Sequence, residues 1–277
     1  MSAVRGGGTA LLRDLADGRW VVGAAAASIV VWNCALRELP VSLPLVVAVF
    51  AATVVIYGLD AWLDRRSAPL PPAIGLSLPL ALLLLVATLP FLRGMTCLAL
   101  AIGLPICALY AIPLPGLRGR RPKDHPVGKV FSVAASVAVA TTLLPAVESR
   151  TMPGALEFIA IALGIGALIA WNTLACDLRD LPRDRRAELR TLATSWGDDR
   201  LRALLSAFAV VGIGALMISA FRSHTPIAGP LLFATVPLAV GLVALRAFRP
   251  TTAPWVWTWS LDGSFLILLL TPLAKIF

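Results

Sequence analysis

Long, nearly uncharged apolar runs constrain this chain more than any other feature of its sequence. Hydrophobic residues make up 58% of the 277 positions and charged residues only 14%, whereas soluble domains are about 45–50% apolar and about 25% charged. Runs of about 20 apolar residues cross the hydrocarbon core of a bilayer as helices. Because these runs are continuous and not alternating, they argue against a membrane β-barrel. The sequence therefore predicts an all-α integral membrane protein embedded in the lipid bilayer.

Prolines, glycines and charges divide the apolar sequence into nine candidate transmembrane helices, here called segments 1–9. Their limits fall at 20–36, 41–62, 73–91, 95–112, 127–147, 154–177, 203–221, 227–246 and 256–274. The shortest break lies at Arg93 and Gly94, so that segments 3 and 4 could also form one bent hairpin. We expect residues 1–277 to form a single transmembrane helical domain that begins with a short arm, residues 1–19.

Basic residues are distributed unevenly between the two predicted sides of the membrane. The arm and the loops after segments 2, 4, 6 and 8 hold 19 of the 24 lysines and arginines. Cytoplasmic loops carry such an excess, which predicts a cytoplasmic N-terminus and cytoplasmic even-numbered loops, in the inner membrane if the cell is bacterial. Attraction to anionic headgroups accounts for much of the net charge of +9 without a nucleic-acid partner.

Aspartates gather at two places on the predicted cytoplasmic side. Each group follows an even-numbered segment: Asp60 and Asp64 after segment 2, and Asp177, Asp180 and Asp184 after segment 6. The first pair is spaced i, i+4, and the second group i, i+3, i+7, which is one helical face if the helix continues. Pro182 leaves an alternative open, in which Asp180 caps a new short helix.

The matched positions of the two groups favour a metal–diphosphate site. Carboxylates held at one membrane depth repel each other unless a cation lies between them. Mg²⁺ is a hard ion that takes oxygen ligands and shares them with substrate phosphates, and Mn²⁺ would suit the same oxygens. Neighbouring arginines suit the remaining phosphate oxygens. The ordinary alternative is a pair of capped helix ends with salt bridges.

At these residues the sequence resembles the UbiA superfamily of intramembrane prenyltransferases. Members have nine transmembrane helices and two aspartate-rich motifs, in the cytoplasmic loops after helices 2 and 6. The second family motif, DxxDxxxDxxxGxxTLxxxxG, is matched by Asp177, Asp180, Asp184, Thr191, Leu192 and Gly197, with Glu188 in place of the usual glycine. The resemblance covers essentially the whole chain in helix number and topology.

The first family motif, NDxxDxxxD followed by a proline-rich turn, is matched less fully. Asp60, Asp64 and the prolines within 69–71 fit it. Ile56 and Tyr57 stand where the family has asparagine and its first aspartate. The end of segment 2 therefore lacks two of the oxygen ligands that the family uses.

The resemblance implies a role for each matching residue. Mg²⁺ would be held by Asp60, Asp64, Asp180 and Asp184, with Asp177 as a further catalytic aspartate. The family also has a Tyr–Lys pair between helices 4 and 5, for which Tyr110 and Lys123 are the closest match and Lys129 is the alternative. Charge on the leaving diphosphate would be stabilised by Arg65, Lys123 and Arg183. Further substrate-binding candidates are Tyr57 and Asn172, although a helix–helix hydrogen bond also suits Asn172.

Segment 9 begins with WVWTWSLDG, in which Trp255, Trp259 and Asp262 are spaced i, i+4, i+7 on one face. Tryptophans at a membrane interface are usually belt residues. An acid within a membrane helix is costly and usually faces a cavity. We hypothesise that Asp262 faces the substrate pocket and that a neighbouring tryptophan stabilises a carbocation there by cation–π attraction.

These implied roles favour an enzyme that ionises an isoprenyl diphosphate and transfers the prenyl chain to a lipophilic, aromatic acceptor. A membrane location suits the hydrocarbon tail, because each buried CH₂ contributes about 0.8 kcal/mol. Two alternatives remain open. A terpene cyclase would let the chain's own double bonds attack the cation, and a non-catalytic protein would only bind the isoprenoid. The incomplete first motif and the tryptophans of segment 9 keep the cyclase alternative open.

Overall fold

The computed structural model describes residues 4–64, 72–113, 121–186, 188, 191–222, 228–247 and 252–270. Within these residues the regular structure is entirely helical, which confirms the predicted all-α fold. The helices are α1 (Val4–Asp17), α2 (Trp20–Leu36), α3 (Leu43–Asp64), α4 (Pro72–Thr88), α5 (Gly94–Leu109), α6 (Pro126–Ser149), α7 (Ala155–Arg186), α8 (Leu192–Trp196), α9 (Asp198–Arg222), α10 (Ala228–Ala247) and α11 (Pro254–Leu261). Short 3₁₀ helices lie at Leu89–Phe91, Pro122–Asp124 and Gly263–Leu270. Each predicted segment thus contains a helix in its described part.

Several helices have the length and apolarity of membrane spans. In the described part of the chain five qualify, namely α3, α4 with the 3₁₀ turn after it, α6, α7 and α9. A sixth is added if α1 and α2, which are bent by 69° at their junction, form one broken span. Large apolar side chains such as Leu83, Val210 and Phe221 are exposed on the outside of the bundle, as lipid-facing side chains are. The chain is a multi-pass membrane protein.

Two apolar cores hold the bundle together. One lies among α2, α6, α7, α9, α10 and α11 and includes Trp32, Ile165 and Leu261. The other lies among α2, α3, α4, α5 and α6 and includes Leu45 and Leu85. Because α2 and α6 contribute to both cores, they join a half that contains α3 to a half that contains α7.

Close packing fixes α7 against α9. A Cβ atom added to Gly164 would lie 2.6 Å from the Leu216 side chain, and one added to Gly212 would lie 3.2 Å from Leu168. Small residues let membrane helices approach closely, which strengthens van der Waals contact where no hydrophobic effect drives association. This contact holds α7, the helix that carries the second group of aspartates.

Two boundaries that the sequence left open are resolved. Helix α7 continues through Pro182 to Arg186, so that Asp177, Asp180 and Asp184 lie on one continuous helix. Proline inside a helix removes one backbone donor and disfavours the helical ladder, yet α7 continues for four residues beyond Pro182. Helix α4 ends at Thr88 and α5 begins at Gly94 after an intervening 3₁₀ turn, so that segments 3 and 4 are separate helices.

Candidate functional site

The first acidic cluster, Asp60 and Asp64, lies in the last turns of α3 and is paired with cations from the loop before α6. The Lys123 ammonium lies between the two aspartates: it donates to Asp60 Oδ1 and, at 2.7 and 2.9 Å, to the two carboxylate oxygens of Asp64. Arg121 donates a second charge-assisted hydrogen bond to Asp64. Both carboxylates are therefore balanced by side chains that lie about 60 residues away in the sequence.

The 3₁₀ turn Pro122–Asp124 positions these cations. Its Lys123 backbone N–H donates to the Tyr110 carbonyl oxygen at 3.2 Å, which holds the turn against the end of α5. The Arg121 guanidinium donates to Asp124 at 2.9 to 3.2 Å. Partial burial alone would raise the pKa of Asp124, but the hydrogen bonds and charge of Arg121 outweigh it and hold that pKa below its ordinary value.

In the second acidic cluster, Asp177, Asp180 and Asp184, two of the three aspartates are deeply buried, whereas the Asp180 side chain is 30% exposed. Asp177 is 1% exposed and Asp184 6% exposed. Lys129, in the first turn of α6, donates to Asp177 Oδ1, whereas Asp177 Oδ2 is buried and has no hydrogen-bond partner among the described residues. Arg179 donates to the two oxygens of Asp180 at 2.8 and 2.6 Å. A buried acceptor without a partner is rare in folded proteins and calls for an explanation such as a bound ion.

One short segment of chain joins the two clusters. Lys123 and Lys129 lie six residues apart, yet the first contacts the acids of α3 and the second contacts an acid of α7. The clusters therefore lie at the same end of the bundle, here called the charged end. This is the arrangement that the matched sequence positions predict.

Polar side chains between the clusters complete the charged end. Asn172 Nδ2 donates to Asp262 Oδ1 at 2.8 Å, which links α7 to the end of α11. The Tyr57 phenol lies within electrostatic range of both Asp60 and Asp262. Tyr110 lies beside Asp60 as well. The structure thus brings these predicted substrate-binding residues together around one region.

The tryptophans of α11 separate into different environments. Helix α11 ends at Leu261 and a 3₁₀ helix follows, so that Asp262 lies at a junction and not within a longer α-helix. The Trp259 Nε1–H donates to the Leu12 carbonyl oxygen at 3.0 Å and so attaches α1 to α11. Trp255 is half-buried, and Trp257, which the sequence analysis did not single out, is 5% exposed.

A small apolar cavity, of about 10 Å³, lies deeper in the bundle than the charged end. It is lined by residues of α2, α7, α10 and the last 3₁₀ helix, among them Ile29, Trp32, Ile165, Ile169 and Phe265. At a rise of about 1.5 Å per residue, Ile169 and Ile165 lie about 12 and about 18 Å along α7 from Asp177. Charges at one end and an apolar lining beyond them suit a molecule with an anionic head and a hydrocarbon tail.

Some site residues were missed and others cannot be placed. Arg65 lies outside the described residues, as does the side chain of Arg183. The sequence analysis did not select Arg121 or Arg179, although each pairs with an aspartate of a cluster. The only signal for them was their position within charged runs, which they share with residues such as Arg186, whose guanidinium donates to the Pro182 carbonyl oxygen of its own helix.

The two clusters differ in how well they fit a divalent cation. Among the described residues no three His, Cys, Asp or Glu side chains converge as a metal-binding group. Mg²⁺, however, commonly takes one or two carboxylates and fills its shell with water and substrate phosphates. The second cluster fits this pattern at one atom: Asp177 Oδ2 is buried and has no hydrogen-bond partner among the described residues, although both oxygens of Asp180 accept from Arg179. The first cluster does not fit, because the Lys123 ammonium already lies between its carboxylates.

Comparison with solved structures identifies the fold. A UbiA homolog from Archaeoglobus fulgidus superposes with a TM-score of 0.66 at 16% identity, covering 96% of this chain and 98% of that one. The structure of a UbiA homolog from the same organism bound to GPP and Mg²⁺ superposes with a TM-score of 0.62 at 16% identity, covering 95% of this chain and 99% of that one. The apo structure of a UbiA homolog from Aeropyrum pernix K1 superposes with a TM-score of 0.63 at 15% identity, covering 92% of this chain and 98% of that one.

The chain therefore has the UbiA fold along nearly its whole length, which confirms the fold predicted from the sequence resemblance. No protein-family model matches the chain, and no curated protein sequence matches it. At identities of 15 to 16% the likeness to these structures concerns the fold.

Proposed function

We propose that this protein is a UbiA-type intramembrane prenyltransferase. It binds an isoprenyl diphosphate, releases the diphosphate, and transfers the prenyl chain to a lipophilic, aromatic acceptor. The observation that carries the proposal is the meeting of two aspartate clusters, each with a lysine, at one end of an apolar helical bundle. The proposal is supported by the Archaeoglobus fulgidus homolog of the same fold, which is described as bound to GPP and Mg²⁺ and to DMAPP and Mg²⁺.

The charged end supplies the groups that a diphosphate needs. Lys123 and Lys129 present ammonium groups, and Arg121 presents a planar fork that suits phosphate oxygens. Arg65 and Arg183 are assigned to the same headgroup from the sequence. Asp180 and Asp184, with Asp177 beside them, would hold Mg²⁺. Bound there, the ion would stabilise negative charge on the departing diphosphate. Donors fixed in place before the reaction stabilise such charge more strongly than water does.

The allylic cation forms at the boundary between the charged end and the cavity. Asp262 is held there by its hydrogen bond from Asn172, and its negative charge would stabilise the cation and orient the acceptor. The ring of Tyr57, close to Asp60 and Asp262, offers a π face there, and Trp255 is assigned to the same role from its spacing in the sequence. The tail extends along α7 into the cavity, where apolar side chains exclude water from the cation.

The charged end faces the cytoplasm in this proposal. The arm and the even-numbered loops hold 19 of the 24 basic residues, as cytoplasmic loops do. A water-soluble headgroup can then enter from the cytoplasm while the acceptor arrives through the bilayer.

A terpene cyclase is the second candidate. Trp32 and Phe265 line the apolar cavity, and aromatic faces inside it would stabilise cations that form along a folding chain. A cyclase releases a hydrocarbon or alcohol from the prenyl diphosphate alone, whereas a transferase needs an acceptor.

Diphosphate release tests the proposal. Purified protein is given geranyl, farnesyl or geranylgeranyl diphosphate with Mg²⁺ or with EDTA, alone and with a panel of phenols and quinone precursors. We expect Mg²⁺-dependent release that is lost in an Asp180→Ala/Asp184→Ala variant and retained in Asp199→Asn, which changes an exposed acid outside both clusters. The extracted organic product separates transferase from cyclase. Binding without release under every condition would instead indicate a non-catalytic isoprenoid-binding protein.

A further inference from the structure

Lys123 occupies the position between Asp60 and Asp64 that a shared divalent cation would take. Its ammonium contacts three carboxylate oxygens on the two aspartates. An ammonium group has three N–H donors; a bifurcated bond to the two oxygens of Asp64 and one bond to Asp60 leave a third N–H for a phosphate oxygen. A divalent cation cannot share those oxygens at the same time, because two cations so close together repel strongly.

Neighbouring residues support the ammonium in this position. The Lys123 side chain is only 10% exposed and the Asp60 side chain 19% exposed, so that water screens the pair weakly. The Lys123 backbone is held by the Tyr110 carbonyl oxygen. Arg121 adds a second positive charge on Asp64. Two cationic side chains thus balance two carboxylates.

The sequence agrees with this arrangement on independent grounds. Ile56 and Tyr57 stand one turn before Asp60 on α3, where the resembled motif has asparagine and aspartate. Isoleucine offers no oxygen, and a neutral phenol is a poor ligand for a hard cation compared with a carboxylate. The end of α3 therefore lacks two oxygen ligands of the resembled motif, and a lysine lies against the two aspartates that are present.

We propose that the first acidic cluster binds no divalent cation, that the Lys123 ammonium serves as its cation, and that a single divalent ion binds at the second cluster. This inference rests on the proposed function and specifies its metal requirement. The diphosphate is then held asymmetrically, by an ammonium group beside α3 and by a metal ion beside α7. The aspartates of α3 act as positioning residues that hold Lys123 toward the headgroup.

Counting bound Mn²⁺ tests this assignment without measuring turnover. The full-length protein in detergent is equilibrated with Mn²⁺ and geranyl thiodiphosphate, a slowly reacting analogue, and bound Mn²⁺ is counted by electron paramagnetic resonance. We expect one Mn²⁺ per chain in the wild type and in Asp60→Asn/Asp64→Asn, and none in Asp180→Asn/Asp184→Asn. Lys123→Gln is expected to bind a second ion, since it frees two carboxylates, and the spectrum should then show coupling between two ions. The matched control Lys123→Arg keeps the positive charge and should still bind one Mn²⁺ per chain.

Two results would overturn the assignment. One is a wild type with two ions that loses one in Asp60→Asn/Asp64→Asn, and the other is a Lys123→Gln variant that gains no ion while it remains monodisperse and retains its melting temperature. Binding of radiolabelled analogue is measured in the same samples. Absence of analogue binding would contradict the proposed function itself, whereas analogue binding with two ions would contradict only the single-metal assignment.

Discussion

The two acidic clusters carry similar residues in different surroundings. The Asp64 side chain is 44% exposed, and its cluster is paired with Lys123 and Arg121 from another part of the chain. The Asp177 side chain is 1% exposed, and one of its oxygens has no partner among the described residues. Cationic side chains pair with acids in both clusters, but only the second has a buried carboxylate oxygen, Asp177 Oδ2, without a partner among the described residues.

This contrast shows why an acidic motif does not by itself identify a metal site. What decides the matter is whether a buried carboxylate oxygen is left without a partner, because cationic side chains contact acids in both clusters. Lysine is a compact point charge on a flexible stem, and it can take the place of a cation wherever the backbone brings it within reach. Substitutions in the two clusters should therefore have different effects on activity and stability, and variants of each cluster can test that difference.

The largest expected effect separates the clusters by activity. We expect Asp180→Asn to lower kcat/KM for prenyl transfer about 10³-fold, because removing one preorganised electrostatic group from a leaving-group site costs about 10²- to 10³-fold. Asp64→Asn should cost only about tenfold, since Lys123 keeps Asp60 as its partner. The measurement is the initial rate of diphosphate release at saturating Mg²⁺. Equal losses in the two variants would contradict the asymmetry, and Asp199→Asn serves as the control.

A second prediction compares the two lysines by stability. Lys129→Met leaves the carboxylate of Asp177 buried without its cation, and breaking a buried pair from one side costs about 3–5 kcal/mol. We expect the free energy of unfolding to fall by about 3 kcal/mol, the lower end of this range, because the Lys129 side chain is itself 37% exposed and its charge is partly screened by water. Lys123→Met should cost about 1–2 kcal/mol, since the Asp60 that it leaves unpaired is partly exposed and Asp64 keeps Arg121.

Thermal unfolding in detergent measures this difference. The control is Lys129→Met/Asp177→Asn, which removes both charges and should recover most of the lost stability, as replacement of a whole buried pair often does. If Lys123→Met lowered the melting temperature as much as Lys129→Met, burial would not be what distinguishes the clusters.

The sequence predicted the positions of the acids better than it predicted their partners. Apolar runs gave the helices, and spacing placed Asp177, Asp180 and Asp184 on one face, because both are local properties of a helix. The pairing of Arg121 with Asp64 depends on how the loop before α6 turns back onto α3, which is a long-range property. Trp259 shows the same limit, since its N–H donates to the backbone of an N-terminal helix that spacing within α11 cannot reveal.

A third prediction concerns Asp262, which is attached to the α7 side of the charged end by Asn172. Asp262→Asn keeps the size of the side chain but removes its charge from the cation site. We expect kcat for transfer to fall about tenfold, which corresponds to about 1.4 kcal/mol. Affinity for the diphosphate should change little, because the lysines and Mg²⁺ hold the headgroup. Full activity in this variant would contradict the hypothesis that Asp262 faces the pocket.

The smallest expected effect comes from Asp124, which holds Arg121 beside the first cluster. The Asp124 and Arg121 side chains are 37% and 25% exposed, so that Asp124→Asn should cost only about 0.5 kcal/mol at pH 7. Since Arg121 lowers the pKa of Asp124 in the folded state, this contribution is present above the unfolded pKa of about 3.9 and is lost as pH falls through the folded value. The melting temperatures of wild type and variant should therefore differ from pH 7 down to about pH 5 and converge near pH 3 and below. If the difference in melting temperature instead grew as the pH fell, the contact of Arg121 with Asp64 would contribute more to the stability of the turn than its contact with Asp124. The first cluster would then be more sensitive to pH than the exposure of Asp64 indicates.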